Sequence, residues 1–475
     1  MTESIAPLTL DEESMRRLGY GVVDALVRHF ATLKDRSIVA QVPLATLKAY
    51  FAQPFTEDGR DPMSVWEEVR THVIPGVMRT GHPRFFGYIP TPSNFVSAMA
   101  DALIAGLNVF AGVAQANEAA SLIEVETVRW LAREVGLPDG AGGMVHAGGS
   151  LANLAGLAVA REVHLGGPDP RAVVYMGEET HSCIARALQV LGFTKARIRL
   201  IDSDPHFRID AAKLAHAIAA DKAAGLNPAI IAASAGTTNV GAIDPLDRLA
   251  DLAGAHGLWL HVDGAYGGAA ALTEEGKAKL AGIARADSLV IDGHKWLFQP
   301  IECSLLLVRQ RDWLAAAFRR VPAYMQDSDS EDPDLPNYRD LGLQTSRALR
   351  AFKLWLSLKV FGLAAFRGAI AQGFELARFT AAEVARRPHW RLMAPADFGI
   401  AVFRYEKPGL NAAGNDALNQ AITLALLKSG YALVSTTELL GRRVIRLAPI
   451  HPAATREDII ATLDRLEAFA AAHQG

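Results

Sequence analysis

Cysteine is nearly absent: the 475 residues contain only two, Cys183 and Cys303. Two cysteines supply neither a disulfide framework nor a zinc site, and a cytoplasmic protein without bound metal is the expectation. No excess charge of one sign is present, since 48 basic and 51 acidic residues leave a net charge of −3. These charges are interspersed, which argues against a nucleic-acid surface or a polybasic membrane anchor. No uninterrupted apolar run approaches the roughly 20 residues that span a bilayer. The N-terminus shows no basic region followed by an apolar stretch, so no signal peptide is visible. Internal repeats are missing too, and no glycine cluster has dinucleotide or Walker spacing.

What is present is ordinary globular material, with 50% hydrophobic and 21% charged residues. The length calls for two or three domains. Residues 1–94 read as a helical segment. Asp11, Glu12 and Glu13 mark a helix start, and Leu18, Val22, Val23, Leu26 and Phe30 recur at helical spacing. Such an apolar stripe must dock on its own chain or on a partner.

Residues 95–365 form the second unit, where strand and helix patterns alternate from about 145. Strands are expected at 172–175, 197–201, 229–233, 258–262, 288–291 and 304–308. Helices are expected at 150–164, 181–192, 210–224 and 245–255. Continuous apolar strands between helices predict a mostly parallel sheet in a three-layer α/β domain. The stretch 321–340 is polar and acidic and reads as a mobile loop. A helix is expected from 346 to about 358. Residues 366–475 read as a small α+β domain, with short strands at 401–405 and 444–447.

The chemistry lies at the ends of these strands. Lys295 follows the run Ser288-Leu289-Val290-Ile291, and Asp263 ends the run Leu258-Trp259-Leu260-His261-Val262. A lone lysine after a strand is usually a solvated loop residue, and a lone aspartate usually a cap or turn former. Together they suit pyridoxal 5'-phosphate (PLP): the lysine as its Schiff-base amine, the carboxylate as partner of the pyridinium nitrogen. Gly148-Gly149-Ser150 opens a helix pattern, which suits a phosphate but is also an ordinary capped loop. His181 follows the strand at 172–175 and can stack on a flat ring, although helix capping is its commoner use. Gly236-Thr237-Thr238 follows another strand and can place a hydroxyl nearby.

Five segments now carry a resemblance: 82–91 (HPRFFGYIPT), His181-Ser182, Gly236-Thr237-Thr238, 261–266 (HVDGAY) and 294–297 (HKWL). The sequence resembles the group II PLP-dependent amino-acid decarboxylases, in particular their aromatic-L-amino-acid branch. The resemblance implies a fold-type I enzyme that is a homodimer with active sites shared between subunits. It implies Lys295 as the Schiff-base lysine, Asp263 as the ring-nitrogen partner, and His181 and Ala265 on the two ring faces. It places Gly149, Ser150, Asp292 and His294 around the phosphate, with Thr238 close by. Tyr324, in a loop matching the family's catalytic loop, is implied as the proton donor to the α-carbon. Tyr88, Ile89, Pro90 and Thr91 match the substrate-pocket segment and suit an aromatic side chain. A family relative acting on glutamate, aspartate or 2,4-diaminobutyrate is the alternative, because Thr80 and 109–115 depart from the aromatic pattern. A PLP-binding protein without turnover is the second alternative.

Overall fold

The computed structural model describes residues 8–320, 332 and 334–473. Its large sheet contains β1 (Gly142–His146), β2 (Ala172–Gly177), β3 (Ile198–Ile201), β4 (Asn227–Ser234), β5 (Trp259–Asp263), β6 (Ser288–Asp292) and β7 (Ser304–Val308). Their spatial order is β1-β7-β6-β5-β4-β2-β3. Only β7 runs against its neighbours. Every residue of β2, β5, β6 and β7 is buried, because helices cover both faces of the sheet. Helices Gly149–Val159 and Ser182–Val190 pack on one face, and Ala211–Ala223 and Leu246–His256 pack on the other.

The small sheet consists of β8 (Trp390–Leu392), β9 (Ala401–Tyr405), β10 (Ser435–Leu439) and β11 (Arg442–Leu447), all antiparallel. Helices Ala412–Lys428 and Arg456–Ala472 bury Leu418, Ile422, Leu463 and Leu466 against it. Helix Ala351–Arg386 runs from the large sheet to the small one, through residue 366, with a break at Gly362 (φ 73°, ψ 160°). This is the expected mostly parallel three-layer α/β architecture with a smaller α+β unit.

Several expectations need correction. The linking helix starts at Ala351 rather than 346 and is 36 residues long. Strand β1 escaped sequence reading because it is short and opens with two glycines. The predicted loop does not stay solvated to 340: Leu335, Asn337, Tyr338, Arg339 and Asp340 are buried. Asn337 Oδ1 accepts the Ala114 N–H at 2.9 Å, and the Arg347 guanidinium lies 4.8 Å from the Tyr338 ring centre. Those two partners come from distant sequence, which no local acidity pattern reveals.

The N-terminal helix forms as expected over Glu12–Thr32, with the Asp11 carboxylate accepting the Ser14 N–H. None of its residues is fully buried: Leu18, Leu26 and Phe30 are half-buried, with Phe30 against Phe95, while Val22 and Val23 stay exposed, so its own chain covers the apolar stripe only in part.

Candidate active site

The carboxyl ends of β1, β2, β4, β5 and β6 meet at one edge of the large sheet. Ligands bind at such edges in open α/β sheets. A cavity of about 330 Å³ lies there. Its wall includes Gly149, Ser150, His181, Thr238, Asp263, Ala265, Asp292, His294 and Lys295, which are all nine residues assigned to the cofactor from sequence.

Lys295 stands three residues beyond the end of β6, and its Nζ lies 2.9 Å from Asp292 Oδ2. Burial alone pushes the lysine pKa down, but the carboxylates of Asp292 and Asp263 outweigh it and the value ends above the ordinary one. The free amine is therefore charged. Asp292 is buried, its Oδ1 has no hydrogen-bond partner, and His294 Nε2 lies 3.6 Å from its Oδ2.

Asp263 closes β5. Its Oδ1 accepts the Ala265 N–H at 3.0 Å, and its Oδ2 lies 3.9 Å from the Cys183 thiol. His181 is the N-cap of helix Ser182–Val190, where its Nδ1 accepts the Cys183 N–H at 3.3 Å. His181 thus caps a helix and also lines the cavity.

Aromatic packing holds the two key motifs together. The Tyr266 ring stacks on Trp296 at 5.0 Å and 5°, and Tyr266 Oη donates to the Phe398 carbonyl at 2.7 Å. Trp296 is fully buried, so the segment carrying Lys295 is anchored beside the one carrying Asp263.

Glycine is required at the anion cradle. Gly148 has φ 88°, and a Cβ on Gly149 would lie 2.7 Å from both Asp292 oxygens. No side chain caps helix Gly149–Val159, and its first two residues, Gly149 and Ser150, lie in the cavity wall with their N–H groups available to an anion. An amine for an aldehyde, an acceptor for a protonated ring nitrogen and N–H donors for a phosphate thus share one cavity, and they fit PLP. We expect Gly149→Ala to weaken cofactor binding by tenfold or more, on the order of 1.4 kcal/mol. Equilibrium dialysis of PLP against the cofactor-free protein checks this, and unchanged affinity would show that the Asp292 carboxylate moves aside freely.

The predicted substrate segment is placed differently. Tyr88, Ile89, Pro90 and Thr91 do not line this cavity; Ile89 lies in the main core, while the Tyr88 side chain is exposed with φ 53°. The Tyr88 carbonyl is tied to the site through Arg446, whose Nη2 donates to it at 3.4 Å and also to the Thr238 carbonyl. Tyr324 lies outside the described residues.

Sequence reading missed Arg446. It is 5% exposed and sits in a strand of apolar neighbours, where only the tertiary fold supplies its partners. Burial pushes its pKa down to about 10. Its Nε donates to the Asn239 carbonyl at 2.8 Å and its Nη1 to Ser435 Oγ at 3.2 Å, so it joins the small sheet to the loop after β4. Cys183 and Asn153 were also missed. Each is one turn or less from a predicted residue, but neither stands in a pattern of its own.

With an amine, an acceptor and an anion cradle meeting at one sheet edge, the molecule falls in the fold-type I class of PLP-dependent enzymes. Within that class the chain belongs to the pyridoxal-dependent decarboxylases: the family model described as "Pyridoxal-dependent decarboxylase conserved domain" matches residues 45–406. The chain is 39% identical to the aromatic-L-amino-acid decarboxylase of Bacillus atrophaeus over 464 residues, covering 98% of this chain and 97% of the relative. Its fold matches the crystal structure of Oryza sativa TDC with PLP and tryptamine, with a TM-score of 0.90, 27% identity and coverage of 98% and 99% of the two chains. The Catharanthus roseus tryptophan decarboxylase in complex with L-tryptophan matches equally well, with a TM-score of 0.90, 25% identity and the same coverage. The protein is a PLP-dependent amino-acid decarboxylase.

Proposed function

We propose that the substrate is an aromatic L-amino acid, of the Phe, Tyr, Trp or dopa kind, and the products are its amine and CO2. The observation that carries the substrate class is electrostatic. Among the described residues no arginine lines the cavity, and the buried Arg446, which reaches the carbonyl of the wall residue Thr238, commits its nitrogens to carbonyls and a hydroxyl. A distal carboxylate on the substrate would be desolvated there without a partner. An aromatic side chain carries no such penalty, and the 39% identical relative is named for aromatic substrates.

The residue roles are those the resemblance implies, and the lining of the cavity supports the ones assigned to the cofactor. PLP supplies the electron sink for the pair released when the C–COO bond breaks. Lys295 would hold the cofactor through its amine. Asp263 holds the ring-nitrogen proton. Gly149, Ser150 and His294 hold the phosphate, with Asp292 buttressing Lys295 between turnovers. His181 and Ala265 pack on opposite faces of the ring, and Thr238 orients it. Tyr324 returns a proton to the α-carbon after CO2 leaves. We read the protein as a homodimer with shared sites. The exposed Val22, Val23 and Val27 of the Glu12–Thr32 helix support this reading, as do the exposed Leu103, Leu107, Leu122, Val360 and Phe361.

Mass spectrometry of products from purified protein, PLP and a panel of aromatic, acidic and basic L-amino acids tests the substrate class. Aromatic amines are the expected products; amines from acidic or basic substrates alone would overturn it. Tyr324→Phe is expected to keep bound PLP but divert product toward aldehyde and ammonia in the presence of oxygen. An unchanged amine yield would remove Tyr324 from the reaction.

A further inference from the structure

A chain of buried polar groups runs along β5 to the carboxylate of Asp263. Trp259, His261 and Asp263 alternate on this strand and so share one face. Trp259 Nε1 donates to Ser288 Oγ at 2.8 Å, and Ser288 Oγ lies 2.8 Å from His261 Nδ1. His261 Nε2 lies 2.8 Å from Asn153 Oδ1. Asn153 Nδ2 is 3.6 Å from Cys183 Sγ, which is 3.9 Å from Asp263 Oδ2.

The direction of this chain is forced by its ends. An indole N–H can only donate, and an ionised carboxylate can only accept. The Ser288 hydroxyl must then donate to His261 Nδ1, His261 Nε2–H to Asn153 Oδ1, Asn153 Nδ2–H to the sulfur, and the thiol hydrogen to Asp263. Each hydrogen points toward the carboxylate, and no hydrogen-bonding atom along the path is left unmatched. Burial pushes the His261 pKa down to about 3, so the imidazole stays neutral. Burial and then Asp263 push the Cys183 pKa up to about 12, so the thiol keeps its hydrogen. Five hydrogen bonds thus deliver a donor, and no charge, to Asp263 Oδ2.

The covering helix is shaped around this chain. A Cβ on Gly156 would lie 2.9 Å from His261 Cε1 and 3.1 Å from Nδ1. Glycine inside a helix costs about 1 kcal/mol relative to alanine, and here it makes room for a histidine the reaction does not touch.

We propose that Cys183, oriented through Asn153, His261 and Ser288, is a positioning residue that locks the Asp263 carboxylate against the cofactor's ring nitrogen. Ala265 N–H holds Oδ1 and the thiol holds Oδ2, so the carboxylate cannot rotate away from the cavity. This inference rests on the assignment of Asp263 to the ring nitrogen.

The test compares cofactor-free parent, Cys183→Ala and Cys183→Ser proteins in their affinities for PLP and for its 1-deaza analogue, in which carbon replaces the ring nitrogen. The ratio of the two affinities isolates the Asp263 contact, because phosphate and aldehyde are common to both. The parent is expected to prefer PLP. Cys183→Ala is expected to narrow that preference by roughly three- to tenfold, the scale of one ordinary hydrogen bond, as suits a weak thiol donor. Cys183→Ser, which restores a donor, is expected to keep most of it. An unchanged or widened ratio in Cys183→Ala would overturn the proposal, as would equal losses in both variants, since packing alone would then explain the change. A parent that does not discriminate would instead refute the Asp263 assignment, and the proposal with it.

Discussion

Lys295→Ala is expected to lower turnover by roughly four orders of magnitude or more, the scale seen when an enzyme loses its covalent group. The long-wavelength absorbance of covalently held cofactor should vanish with it. The effect is large because the cavity offers no substitute amine: Lys295 is the only lysine in its wall among the described residues, at 2.9 Å from Asp292. Loss of the ammonium also leaves the buried Asp292 carboxylate without its ion-pair partner, so the cofactor-free variant should be less stable than the cofactor-free parent. Absorbance spectra, steady-state rates and thermal unfolding of the same preparations check the three effects. A Lys295→Ala protein that turned over substrate near the parental rate would remove this residue from the chemistry.

The second large effect concerns stability rather than catalysis. Arg347 and Glu124 form a fully buried two-pronged ion pair, with Nη1 donating to Oε2 at 2.8 Å and Nη2 to Oε1 at 2.7 Å. Burial opposes the charged Arg347, yet Glu124 outweighs it and the pKa stays above the ordinary arginine value. The pair is also a joint. Glu124 Oε1 accepts the Val145 N–H at 2.8 Å, while the guanidinium donates to the Ala111 and Val145 carbonyls. It thereby fastens helix Glu118–Glu134 to β1, the strand that leads into the Gly148–Ser150 cradle.

Arg347→Met should cost about 3–5 kcal/mol, because it strands a buried carboxylate. The expected fall in the unfolding midpoint is on the order of 5 °C. Adding Glu124→Gln should recover part of the loss, since replacing both charges removes the stranded one. Differential scanning calorimetry of the two single variants and the pair measures this. Single variants as stable as the parent would show that the pair contributes only geometry.

Much of the architecture was legible because strands in a doubly covered sheet must be apolar throughout, and helices between them must show a 3.6-residue stripe. Six of the seven large-sheet strands therefore announced themselves, while β1, with its two glycines, did not. The cofactor residues were legible for a related reason. A lysine, an aspartate, a histidine and a Gly-Gly-Ser turn at successive strand ends need no knowledge of distant contacts, because parallel strands bring their carboxyl ends to one edge whatever the loops do.

The amino-acid sequence by itself thus determined the class of fold through local periodicity, and its motifs carried the resemblance that implied the family and the residues found lining the cavity. Only the tertiary structure decided which groups act on those residues. The line of donors from Trp259 to Asp263 through Ser288, Asn153 and Cys183, the burial of Tyr338 and the commitment of Arg446 to backbone carbonyls all join residues far apart in sequence. Hydrogen bonds and ion pairs act over about 3–4 Å, so their partners exist only once packing has closed those distances.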